Sequence, residues 1–132
     1  MRNLVWINSR DALKYHDLAL VQHGGAEGVR DRAALEAALA RPRNLLAYAE
    51  KEPSVFQLAA AYAFGIARSH PFVDANKRTA LVVAITFLEA NGFEVVGPRE
   101  DEYLMFFGLA EGTVTEPQLG RWFENNSRKP RP

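Results

Sequence analysis

Arg68-Ser69-His70-Pro71-Phe72-Val73-Asp74-Ala75-Asn76-Lys77-Arg78-Thr79 joins two apolar stretches and decides how the chain is read. Upstream, Ser54 followed by Gln57 fits a helix-opening capping box. Phe56, Ala59, Ala63, Ile66 and His70 then recur at spacings of 3, 4, 3 and 4, one stripe of a helix that ends at Pro71. This stripe places His70 at the end of the core face. Downstream, Lys77 to Asn91 carries Ala80-Leu81-Val82-Val83-Ala84-Ile85, apolar all round, and closes on Gly92. Its β-branched residues also suit a strand, but its length and the Asn91-Gly92 stop favour a helix, which should be central and buried.

Working outward, the rest also reads as helices and short loops. Asn8 or Ser9 can cap a first helix to about Gln22, with Leu13, Leu18, Leu20 and Val21 as its apolar positions and Gly24-Gly25 as its stop. Asp31 can cap a second, with Ala34, Leu35, Ala38 and Leu39 on one face, ended by Pro42. Asn44 to Lys51 suits a short helical turn. Phe93 to Val96 suits one short extended piece. Pro98 with Glu100, Asp101 and Glu102 reads as a helix first turn, and Thr115 with Gln118 opens a last helix to about Asn125. The expected fold is all-α, one compact domain over residues 1–126, with residues 127–132 a disordered basic tail.

Composition bounds the function. The 132 residues are 48% hydrophobic and 24% charged, the mix of a globule rather than a disordered chain. Sixteen Lys and Arg balance sixteen Asp and Glu, which argues against a dedicated nucleic-acid binder. Without cysteine there are no disulfides, thiolate metal sites or cysteine nucleophiles, which suits a reducing cytoplasm. The apolar run Leu4 to Ile7 is too short for a leader peptide, and Ala80 to Leu88 is far short of the roughly 20 residues of a membrane span.

Against that neutral background, Arg68, Lys77 and Arg78 face only Asp74 within the quoted stretch. Free N–H groups where the chain re-enters a helix near Asn76 make a ready anion site, and two cations lie beside it. Asp74 is the one hard oxygen ligand of the loop, and magnesium takes one or two carboxylates plus phosphate oxygens and water. His70 can accept a proton from a hydroxyl. Together these groups suit phosphoryl or nucleotidyl transfer. Considered alone, His70 is better explained as a core histidine bonded to backbone.

His70-Pro71-Phe72-Val73-Asp74-Ala75-Asn76-Lys77-Arg78 resembles the loop of the Fic/Doc family. The general Fic pattern is H-P-F-x-(D/E)-G-N-G-R-x-x-R. This chain has Ala75 and Lys77 at the two glycines and Leu81 at the last arginine. Those departures match the Doc (death-on-curing) branch, whose loop reads H-x-F-x-(D/N)-(A/G)-N-K. The stretches Gly28 to Asp31, Leu35 to Pro42 and Thr79 to Gly92 look like that branch as well.

The resemblance implies a catalytic base at His70, a magnesium-binding acid at Asp74, phosphate-binding positions at Asn76, Lys77 and Arg78, and a buried anchor at Phe72. It implies ATP and Mg2+ as cofactors. Most Fic proteins transfer AMP to a target hydroxyl. The Doc branch turns ATP around and transfers its terminal phosphate to a threonine of elongation factor Tu, arresting translation. Lys77 in place of a glycine adds bulk and charge where backbone would otherwise approach a phosphate, which is consistent with altered nucleotide handling. The resemblance also implies a toxin–antitoxin module with a small antitoxin of the prevents-host-death type. The family's inhibitory S/T-x-x-x-E-G/N motif does not occur in this sequence.

Three functional readings follow: a Doc-like protein kinase toxin, a Fic-type adenylyltransferase, and a non-enzymatic partner-binding module. Lys77 and Leu81 favour the first, and the intact His70 and Asp74 disfavour the third. Elsewhere, His16 and His23 read as surface or capping residues, Trp6 and Trp122 as closing the core, and Tyr103, Phe106 and Phe107 as packing. Arg68 is expected either to face the loop or, equally, to be solvated.

Overall fold

A computed structural model describes residues 3–130. Among them the chain forms six helices: α1 (Ser9–His23), α2 (Arg32–Tyr48), α3 (Val55–Ser69), α4 (Asn76–Ala90), α5 (Arg99–Glu111) and α6 (Glu116–Asn125). One small antiparallel sheet pairs β1 (Glu94–Val95) with β2 (Ser127–Arg128). The fold is all-α, as the pattern predicts. No helix of the described residues is long and apolar enough to cross a membrane.

Local signals set most helix starts. Asn8 and Asp11, Ser54 and Gln57, and Thr115 and Gln118 form reciprocal capping boxes, and Asp31 caps α2 by accepting from the Ala34 N–H. Glu100, Asp101 and Glu102 occupy the first turn of α5, as their sequence position implies.

The packing centres on α3, which contacts α2, α4, α5 and α6, while α1 lies on α4. Leu58 through Ala63 are fully buried, so α3 is enclosed on every side along its middle. Its alanines let neighbours come close. Gly65 is required where α2 crosses, since a Cβ there would stand 3.0 Å from the Ala38 Cα. The helix after the loop is less enclosed than its apolar run suggests. α4 buries Val83, Ala84, Phe87 and Leu88, whereas Leu81, Val82 and Ile85 are only half-buried.

Pro42 does not end the second helix. α2 runs through it to Tyr48 and absorbs the separate turn expected over Asn44 to Lys51. A proline inside a helix removes one backbone bond and crowds the preceding turn. Here Leu39 is buried before it, and Leu45 and Leu46 pack on the core after it, so tertiary packing outweighs the local defect.

The tail departs from expectation at its start. Ser127 and Arg128 pair with Val95 and Glu94, and Arg128 meets the Glu94 carboxylate at 3.6 Å. The remaining tail positions 131–132, like residues 1–2, lie outside the described residues.

Tyr62 ties the N-terminal segment to the core. Its buried hydroxyl accepts from the Ile7 N–H at 2.9 Å and donates to the Ile7 carbonyl at 3.3 Å. Tyr62→Phe leaves both backbone groups unpaired and is expected to cost about 1–3 kcal/mol, read from the denaturation midpoint. An unchanged midpoint would mean that water replaces the hydroxyl freely.

Candidate active site

α3 and α4 are joined by a loop that reverses direction in six residues, and two of these adopt left-handed backbone: His70 (φ 49°) and Ala75 (φ 63°). At His70 this conformation ends α3, with its N–H still donating to the Ile66 carbonyl. The turn swings the His70 side chain out of the core stripe, so it is exposed rather than buried. Periodicity mispredicts it because the helical spacing stops one residue earlier. Phe72 takes the inward place instead, at 1% exposure.

Ala75 stands where the general pattern has glycine. An L-residue in this region carries strain from its Cβ. Ala75→Gly is therefore expected to raise stability by roughly 0.5–1 kcal/mol despite the freer unfolded chain, as a higher midpoint in denaturant. A lower midpoint would show that Ala75 is not strained.

Asn76 staples the loop. Its side chain accepts from the Phe72 N–H and donates to the Phe72 carbonyl, both at 3.0 Å. This engages both ends of the amide in the loop, and the Asn76 backbone N–H is a further donor for an anion. No side chain caps the start of α4. The first N–H groups of that helix therefore point outward without an intrahelical acceptor. Lys77 and Arg78 are exposed beside them and take part in none of the ion pairs of the described residues.

Asp74 is exposed at the same place. One carboxylate oxygen accepts from the Ala75 N–H at 2.9 Å and the other from the Ala26 N–H at 3.2 Å. These two bonds, with a smaller contribution from His16, hold its carboxyl below the ordinary aspartate range. The folded state thus favours the anion. Its contribution is present at neutral pH and is lost as pH falls through the depressed value. The Ala26 and Ala75 amide resonances are expected to stay fixed until pH falls below the ordinary aspartate range. Movement at mildly acid pH would contradict the assignment.

Two residues that the sequence left without a role hold this loop from outside. His16 is buried at 3% exposure, stacks on Phe72 with ring centroids 3.9 Å apart and planes 8° apart, and donates from Nε2 to the Asp74 carbonyl at 2.9 Å. Read as a surface residue, it instead occupies the middle of the buried face Ala12, His16, Ala19. That 4, 3 spacing was the available signal, obscured by the larger Leu18 and Val21, which are exposed. Arg30 donates from its guanidinium to the His70 and Ser69 carbonyls, both at 2.7 Å. It closes the C-terminal end of α3, where a cation is favoured.

His70, Asp74, Asn76, Lys77 and Arg78 all line one pocket of about 400 Å³. Its other wall comes from α5, where Tyr103 and Phe107 are exposed while Phe106 is buried as packing predicts. Arg68 is not part of it. Its guanidinium lies over Phe64, 6.0 Å from the ring centroid, and lines a separate groove with Arg41.

The donor set fits a metal only together with its ligand. The described residues contain no group of three or more His, Cys, Asp or Glu able to hold an ion by themselves. Asp74 is a single exposed carboxylate with lone pairs remaining, next to cations and free N–H groups. That suits a hard cation arriving with phosphate oxygens. The pocket thus brings together an imidazole, a carboxylate, two cationic side chains and the start of a helix.

Comparison with known proteins bears on the family. The family model described as Fic/DOC family matches residues 6–88. The chain is 38% identical over 109 residues to "Protein kinase doc" of Escherichia phage P1, covering 83% of this chain and 85% of that protein. It is also 38% identical over 90 residues to "Toxin Doc" of Mycolicibacterium smegmatis (strain ATCC 700084 / mc(2)155), covering 68% and 67%. On the matched span, the helical fold and these relatives, the chain belongs to the Fic/Doc family.

Proposed function

We propose that this chain is a Doc-type toxin that transfers the terminal phosphate of ATP to a hydroxyl of a target protein. The observation that carries the reading is the convergence of His70, Asp74, Lys77 and Arg78 on one pocket at the start of α4. The phage P1 relative, named as a protein kinase, supports the same direction of transfer.

In this reading His70 accepts the proton of the attacking hydroxyl. A bond forms from that oxygen to the terminal phosphorus, the bond to the bridging oxygen breaks, and ADP leaves. Lys77, Arg78 and the N–H groups of α4 neutralise charge on the phosphates. Asp74 would hold magnesium, which when bound with ATP supplies further charge neutralisation on the phosphate oxygens. Arg30 and His16 keep His70 and Asp74 in register. The target is elongation factor Tu by resemblance to the Doc branch. An antitoxin of the prevents-host-death type is the expected partner.

The test is to incubate the chain with magnesium, ATP and purified elongation factor Tu and to weigh the intact acceptor. A gain of one phosphate is the expected result. A gain of one AMP would replace this reading with adenylyl transfer, and an unmodified acceptor beside a nucleotide-binding chain would remove elongation factor Tu as the target.

A further inference from the structure

We propose that Tyr103 and Phe107 of α5 form the platform on which the purine base of the nucleotide stacks. The inference rests on the nucleotide reading above and goes beyond it, because no residue has so far been given the base. Packing would bury these rings, yet Tyr103 is 62% exposed and Phe107 42%. They lie one helical turn apart, with centroids 6.2 Å apart and planes within 25° of each other. The two near-parallel rings both line the pocket. A planar ligand laid against such rings removes apolar surface from water and adds ring stacking.

Position and charge indicate what covers them. The Lys77 ammonium sits 4.7 Å from the Phe107 ring centroid, so the wall begins beside the phosphate-directed residues of α4. One side of the pocket offers Lys77, Arg78 and the α4 N–H groups to an anion, and the other offers aromatic faces to a planar group. A nucleoside phosphate carries both, joined by a ribose. The pocket, at about 400 Å³, lies within the range of small-molecule sites. A base placed on α5 with its first phosphates at Lys77 leaves the terminal phosphate to reach onward along the loop that carries Asp74 and His70. This is the orientation that terminal-phosphate transfer requires.

The experiment titrates the native chain, Phe107→Leu and Tyr103→Leu with magnesium-ATP and separately with magnesium tripolyphosphate, by calorimetry. Both side chains are exposed, so the variants should keep the fold, which circular dichroism checks. The native chain is expected to bind ATP more tightly than tripolyphosphate. Each variant should weaken ATP about tenfold, about 1.4 kcal/mol, and leave tripolyphosphate unchanged. Unchanged ATP affinity in both variants overturns the platform while leaving the phosphate site intact, and a raised KM for the protein acceptor would then assign the wall to the acceptor. An equal loss of both ligands also overturns it, because the rings would then act only through Lys77. A native chain that binds neither ligand overturns the platform together with the nucleotide reading.

Discussion

His70→Ala is expected to lower phosphate transfer by about 10²–10⁴-fold, the usual contribution of a positioned general base. The ring is exposed and makes no side-chain hydrogen bond among those of the described residues, so its loss should not disturb the core. Its backbone is the sensitive part, because φ is 49° and the carbonyl is held by Arg30. Asparagine tolerates that region better than alanine does. His70→Asn therefore serves as the second variant, with the same loss of transfer and an unchanged melting temperature. ATP affinity should change little in either variant, since the proposed reading assigns the phosphates to α4. Transfer at the native rate in a folded His70→Asn protein would remove His70 as the base.

The second large effect is expected at His16, which touches neither the proposed substrate nor solvent. His16→Ala removes a buried ring stacked on Phe72 and strands the Asp74 carbonyl. The cavity and the lost hydrogen bond together are expected to cost about 2–4 kcal/mol and to release the loop. His16→Phe separates the two contributions, because it keeps a ring against Phe72 and loses the donor. Most of the stability should return in that variant. Transfer should stay well below native, with the deficit in the magnesium concentration needed for half-maximal rate. Equal recovery of stability and transfer would make His16 a packing residue only.

The sequence disclosed the helices because capping boxes and apolar spacing are local properties. Ser54 with Gln57 and Thr115 with Gln118 state their helix starts within four residues. Pro42 was misread for the opposite reason. Its local cost is plain in the sequence, while the leucine packing that outweighs it is assembled from α3. The start of the tail differs for a similar reason, since the pairing of Ser127 and Arg128 with β1 joins segments more than thirty positions apart.

The candidate site was legible where it is contiguous. His70, Asp74, Asn76, Lys77 and Arg78 lie within nine residues and meet in one pocket. The exposure of His70 was not legible, because it depends on a left-handed turn that periodicity does not register. His16 and Arg30 were missed because their partners are thirty-nine or more positions away. Tyr103 and Phe107 were read as packing because exposure cannot be seen in an i, i+4 aromatic pair.

The central claim is that this loop moves the terminal phosphate of ATP. It is tested most directly with ATP labelled at the terminal or at the α phosphorus, magnesium, elongation factor Tu, and the native and His70→Asn proteins side by side. The account predicts that terminal label reaches the acceptor with the native protein, that α label does not, and that His70→Asn transfers neither. Label arriving from the α phosphorus, or equal terminal transfer by His70→Asn, would contradict it.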